Sequence, residues 1–138
     1  MQNAPETNAS VYDQIGEDGF ERLVAAFYRH VSADPALRPL YPEADLAPAE
    51  RRLRLFLIQY FGGPTTYSEE RGHPRLRMRH APFRIGEAER DAWLAAMLSA
   101  LGETGIAEPA YSEMRTYFEN GATFMMNASP FGGMMRNP

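Results

Sequence analysis

Apolar positions in this chain recur every three or four residues, the spacing of helices that each bury one face. The clearest run is Leu53, Phe56, Leu57, Tyr60 and Phe61. It defines a helix that begins near Pro48, a good first-turn residue, and stops at Gly62-Gly63-Pro64. An earlier helix is predicted over residues 18–32, with Asp18 as N-cap and Glu21 as its capping-box partner. Pro35 and Pro39 then allow only a short helical turn ending near Tyr41-Pro42. A helix over residues 87–101 aligns Trp93, Ala96, Met97, Ala100 and Leu101 on one stripe. Another over residues 109–126 aligns Met114, Tyr117, Phe118, Gly121, Ala122 and Met125. No stretch alternates as a strand does, and no internal repeat occurs. The pattern specifies an all-α domain over residues 11–126, with residues 1–10 and 127–138 expected as flexible tails.

One segment does not fit. Residues 62–86 carry little hydrophobic periodicity, and loops of that length inside a compact domain are usually functional or disordered. The segment holds His73 and His80, two of the three histidines, together with Arg71, Arg75, Arg77, Arg79 and Arg84. Something other than its own core is expected to order it.

Composition narrows the chemistry. The 138 residues include no cysteine, which excludes disulfides, thiolate zinc sites, iron–sulfur clusters and thiolate-ligated haem. All 14 basic side chains are arginine, so there is no lysine for a Schiff base or a phosphate loop. The net charge is −4, yet residues 51–90 alone carry nine arginines against four acids. Such a basic middle is either a solvated surface paired with nearby acids or the seat of an anion. With a pI of 5.4 and no recognition motif, nucleic acid is not the expected partner. The apolar runs fall far short of the roughly 20 residues that span a bilayer, and no secretory signal opens the chain, so a cytoplasmic protein is expected.

Familiar catalytic motifs are missing. Glu70-Arg71-Gly72-His73 matches Glu-x-x-His once, whereas a di-iron bundle needs two such motifs on helices. His80 stands out within Leu76-Arg77-Met78-Arg79-His80-Ala81-Pro82-Phe83, because Pro82 forces the chain out of helical geometry just past the imidazole. By its spacing alone, that imidazole reads either as a haem ligand or as a hydrogen-bonded core histidine.

The run Tyr67-Ser68-Glu69, then Arg71-Gly72-His73-Pro74-Arg75-Leu76-Arg77-Met78-Arg79-His80-Ala81-Pro82-Phe83-Arg84-Ile85, resembles the truncated haemoglobins of the second group. Glu89-Arg90-Asp91-Ala92-Trp93-Leu94 extends the likeness, as do Phe27-Tyr28, Leu40-Tyr41-Pro42 and Tyr60-Phe61-Gly62-Gly63-Pro64. The likeness spans residues 11–126. It implies a two-over-two helical sandwich around haem b, with His80 as proximal iron ligand. It also implies a ligand-facing wall of Tyr28, Tyr41 and Trp93 beside Ala49 and Leu53. Propionate partners are expected at Arg52, Arg79 and Tyr67, with His73 and Arg75 in reserve, and apolar haem contacts at Leu53, Phe56, Phe83, Ile85 and Met97. One departure is Gly16-Glu17-Asp18-Gly19, where relatives carry adjacent glycines, which leaves the geometry of the first turn open.

The resemblance implies reversible binding of O2 and other diatomics such as NO and CO. It extends to nitric oxide dioxygenation or peroxidase-like turnover of peroxide, either served by a separate reductase. The rival expectation, resting on generic amphipathic stripes, is a haem-free helical interaction or sensor module.

Overall fold

The computed structural model describes residues 9–75 and 85–126. His80, Arg79 and Phe83 lie outside the described residues. Among the described residues, five α-helices follow one another: α1 (Val11–Ala33), α2 (Ala47–Tyr60), α3 (Thr66–Arg71), α4 (Glu87–Glu103) and α5 (Ala110–Phe124). A 3-10 turn at Arg38–Leu40 lies between α1 and α2, and no strand occurs among the described residues. Helix α1 packs on both α2 and α4, and α5 packs on α4, which gives two pairs of helices laid over one another.

Local chemistry sets the ends of these helices. Helix α1 starts seven residues before the position predicted from Asp18, because Ser10 and Asp13 form the capping box instead. Ser10 Oγ accepts from the Asp13 N–H at 3.0 Å, and Asp13 Oδ2 accepts from the Ser10 N–H at 3.2 Å. Asp18 instead pairs with Arg22 one turn on, at 3.1 Å. Gly16 interrupts α1 with φ 68° and ψ 175°, a backbone region essentially reserved for glycine. A single glycine therefore makes the break. In α2, Pro48 lies in the first turn and Asp45 Oδ1 accepts the Ala47 N–H at 3.0 Å. Glu89 accepts the Gly86 N–H at 2.8 Å at the start of α4.

Gly62 and Gly63 do more than stop α2. A Cβ on Gly62 would lie 2.6 Å from Ser10 Cβ, and one on Gly63 would lie 2.7 Å from both Tyr12 and Ile58 side chains. The beginning of α1 rests on this bare backbone, and the Tyr12 N–H donates to the Phe61 carbonyl at 3.0 Å.

Phe20, Leu23, Val24, Phe27 and Val31 from α1 are fully buried, as are Met97, Ala100 and Leu101 from α4 and Met114 from α5. Burial of each large side chain contributes about 1.5–3 kcal/mol relative to exposure. The predicted α5 stripe divides. Met114 enters the core beside Ala110, buried Phe118 and Ala122 also border a cavity, and Tyr117, Gly121 and Met125 line that cavity's edge. The region expected to be loop contains α3, a short helix that no apolar stripe announced.

Candidate functional site

Among the described residues, the cavity between α2, α4 and α5 has a volume of about 510 Å³. That lies within the range of small-molecule sites. Its walls are mostly apolar: Leu53, Phe56, Leu57, Ile85, Trp93, Phe118 and Met125 contribute, and Ala49 leaves space on the α2 side. Arg52, Arg71 and Arg90 also line it, with Glu43 and Glu89. Aromatic and aliphatic walls with guanidinium groups suit a flat, apolar molecule that carries an anionic edge. The residues present therefore fit haem.

Tyr28, Tyr41 and Trp93 come from three different elements and meet at this cavity. Tyr28 is held by its α1 neighbour Phe27, whose ring meets it edge-on at 5.1 Å and also packs on Trp93 at 5.4 Å. Tyr41 follows the 3-10 turn. Its backbone is fixed by Arg38, whose guanidinium donates to the carbonyls of Tyr41 at 2.7 Å and Glu43 at 2.8 Å. The Tyr28 and Tyr41 rings lie 5.7 Å apart.

The electrostatics of this trio follow from burial. Burial chiefly pushes the Tyr41 hydroxyl up to about 12, while hydrogen bonds from Trp93 and Tyr28 to its oxygen pull the other way. The Tyr28 hydroxyl is pushed well above the ordinary phenol value, first by burial and then by neighbouring Tyr41. Both are neutral donors at physiological pH.

Tyr67 is buried at the other side of the cavity, with its ring edge-on to Phe56 at 5.6 Å. Helix α3 is set by Gln59, whose amide accepts the Ser68 N–H at 2.9 Å and donates to Ser68 Oγ at 2.7 Å. Arg51 and Glu70 add a two-pronged ion pair, both contacts 2.8 Å, between α2 and α3. The Arg71 guanidinium lies 5.9 Å from the centre of the Tyr67 ring.

Nine of the predicted site residues thus surround one cavity: Tyr28, Tyr41, Ala49, Arg52, Leu53, Phe56, Tyr67, Ile85 and Trp93. Met97 does not, being fully buried in the core under α4 rather than on the cavity wall. His73 and Arg75 line a second, neighbouring groove. Arg52 is engaged with Glu43 at 3.1 Å and Arg90 with Asp91 at 2.6 Å, so the basic middle has both acid partners and a place on the cavity rim. Sequence reasoning missed Arg38, Arg71, Arg90 and Tyr117. The i, i+4 spacing of Tyr117, Gly121 and Met125 signalled only burial, without saying what was buried against.

Comparison with known proteins agrees with this geometry. The bacterial-like globin profile matches residues 10–127. The chain is 45% identical over 95 residues to the group 2 truncated haemoglobin YjbI of Bacillus subtilis strain 168, covering 69% of this chain and 71% of that one. The crystal structure of haemoglobin from Chloroflexus aurantiacus superposes with TM-score 0.83 at 61% identity, covering 86% of this chain and 98% of that one. That of the thermostable haemoglobin from Thermobifida fusca gives 0.83 at 53%, covering 86% and 97%.

The chain belongs to the bacterial-like globins, and among them to the group II truncated haemoglobins. Its fold is the two-over-two helical sandwich, its cofactor is haem b, and it binds oxygen and like diatomic ligands. The haem-free interaction module is not supported. No described helix is long and apolar enough to cross a membrane.

Proposed function

We propose that His80 is the proximal ligand to the haem iron and that Tyr28, Tyr41 and Trp93 form the wall that meets the bound diatomic. The carrying observation is the convergence of these three side chains on one largely apolar cavity, with the Tyr28 and Tyr41 rings edge-on at 5.7 Å. Haem, when bound, supplies an iron that takes up a diatomic molecule reversibly and exchanges electrons with it.

The chain's own part is to donate, to shape and to keep dry. Tyr28 and Tyr41 keep their hydroxyl hydrogens at physiological pH, so each can donate to a ligand atom bearing partial negative charge. One net hydrogen bond is worth about 1 kcal/mol, a several-fold slower departure of the ligand. Ala49 leaves a path for ligand access, and Leu53 and Phe56 exclude water. Arg52, Arg79 and Tyr67 hold the propionate edge, Arg52 exchanging its contact with Glu43 for it. Phe83 and Ile85 supply apolar contacts to the macrocycle; Ile85 lines the cavity five residues beyond His80.

The reaction assigned is dioxygenation of nitric oxide in the cytoplasm. Nitric oxide, dioxygen and one electron give nitrate, the electron coming from a separate reductase. Peroxidase-like turnover is the second reading, favoured by the oxidisable indole and phenols on the cavity wall. The test is spectroscopic and kinetic. His80→Ala is expected to lose the Soret band of the ferrous protein or shift it to that of unligated haem. Stopped-flow mixing of the oxygenated protein with nitric oxide is expected to yield nitrate stoichiometrically. An unchanged spectrum in His80→Ala would remove its role, and no nitrate would remove the dioxygenase reading.

A further inference from the structure

Tyr41 opens a stretch with no regular structure of its own. The 3-10 turn before it closes with the Tyr41 N–H donating to the Arg38 carbonyl at 3.1 Å. Pro42 follows and holds Tyr41 in extended geometry, with φ −109° and ψ 102°. Among the described residues, no backbone–backbone hydrogen bond reaches residues 42–45. Side chains must therefore hold this stretch in place, because backbone carbonyls withdrawn from water need a partner.

One side chain supplies three of those partners. Arg38 Nη1 donates to the Tyr41 carbonyl at 2.7 Å, and Nη2 donates to the carbonyls of Glu43 at 2.8 Å and Ala44 at 3.2 Å. Arg38 and Tyr41 thus bind each other twice, once through each other's backbone and once through the guanidinium. Arg38 is half-buried, and its chain neighbour Leu37 is fully buried, so the turn is anchored to the core. The planar guanidinium offers its two Nη atoms to separate carbonyls in a fixed fork, which a lysine ammonium cannot copy. Arg38 does not itself line the cavity. It reaches the cavity through what it holds: Tyr41, whose ring lies 5.7 Å from that of Tyr28, and Glu43, whose carboxylate meets Arg52 at 3.1 Å.

We propose that Arg38 is a positioning residue for ligand binding: from outside the cavity, its guanidinium fixes the stretch that carries Tyr41 and so sets how well the Tyr41 hydroxyl meets a bound diatomic. The proposal rests on the donor role given to Tyr41 above. A phenol donates well only while its oxygen stays within reach of the acceptor, and the bond weakens steeply as its angle closes. Three charge-assisted bonds, to the carbonyls of Tyr41 and of two residues just beyond it, resist the backbone rotation that would swing the ring away. The effect is selective. Bound oxygen carries partial negative charge and gains from the donor, whereas carbon monoxide carries little and gains less.

The experiment compares wild type, Arg38→Met, Arg38→Lys and Tyr41→Phe, with both Arg38 substitutions also made in the Tyr41→Phe background, all loaded with haem and reduced. Stopped-flow displacement gives the oxygen and carbon monoxide off-rates. Infrared spectroscopy gives the C–O stretch of the carbon monoxide complex, and hydrogen exchange reads the amides of residues 43–46. Arg38→Met is expected to speed oxygen dissociation about threefold and to leave carbon monoxide dissociation unchanged. It is expected to raise the C–O stretch toward the Tyr41→Phe value and to quicken exchange at residues 43–46. Arg38→Lys, which keeps the charge but not the fork, is expected to move the same way, so a misfolded Arg38→Met leaves the comparison intact. In the Tyr41→Phe background, neither Arg38 substitution is expected to speed oxygen loss further. A wild-type oxygen off-rate in the Arg38 variants overturns the proposal and leaves Tyr41 as a donor. An equal increase with and without the Tyr41 hydroxyl also overturns it, because Arg38 then acts on the fold and not through Tyr41. An unchanged off-rate in Tyr41→Phe overturns the donor role and the proposal together.

Discussion

Tyr41 draws its role from its partners rather than from its own position in the chain. The Tyr28 ring stands 5.7 Å from its own and Trp93 lines the same cavity, so its neutral hydroxyl keeps a hydrogen among other donors. Tyr41→Phe removes that hydrogen and is expected to speed oxygen dissociation several-fold, about 1 kcal/mol in barrier, as measured by stopped-flow displacement. Trp93→Phe is expected to act in the same direction, by removing the indole N–H donor from the cavity wall. Equal off-rates in both variants and the wild type would remove the donor role. The phenols also fix a pH response. Tyr41 and Tyr117 are each pushed up to about 12, chiefly by burial, so the folded state favours their neutral forms more than the unfolded chain does. Their contribution to stability is therefore intact below about pH 10 and is lost as pH climbs through 12. Carbon-13 labelling of the tyrosine rings in the carbon monoxide complex is expected to show Tyr28, Tyr41 and Tyr117 titrating above the ordinary phenol range.

Among the elements, periodicity carried the long helices well. Helices α2, α4 and α5 begin and end within two residues of the positions that Pro48, Glu87 and Pro109 suggest. What periodicity could not carry was anything held by polar contacts. The true start of α1 depends on a reciprocal Ser10–Asp13 bond, and α3 depends on Gln59 and Ser68. Neither leaves an apolar stripe. The glycines were legible as a helix stop, but their second function, receiving α1, is a close approach that only the folded chain reveals. Gly62 has φ 104° as well as Ser10 at contact distance. Gly62→Ala is accordingly expected to cost about 1–3 kcal/mol in denaturant-induced unfolding, because strain and overlap act together. An unfolding midpoint equal to that of the wild type would show that α1 does not rest there.

For the whole molecule, the charge distribution and the cavity belong together. The chain is acidic overall, yet arginines line the opening where an anionic edge is expected. Arg52→Ala and Arg79→Ala are each expected to speed haem transfer to an acceptor apoprotein, and more so at low salt, where screening is weak. The cavity wall could be assembled from sequence only with the help of the family resemblance. Nine side chains from α1 through α4 and their connecting segments converge on it, and no spacing rule relates Tyr28 to Trp93, 65 positions apart. Met97 shows the converse. It shares a stripe with Trp93, yet the stripe is wide enough that one faces the cavity and the other the core.

The interruption at Gly16 reassigns part of the chain. Residues 11–15 are continuous with α1 in sequence, but they are tied to the end of α2 through the Tyr12–Phe61 bond and the glycine seat. Helix α2 carries Ala49, Leu53 and Phe56, which line the cavity. A fluorescent reporter attached at position 9 would therefore ride with α2 rather than with α1. It would offer an external gauge of how far the distal wall yields each time a ligand goes in or out.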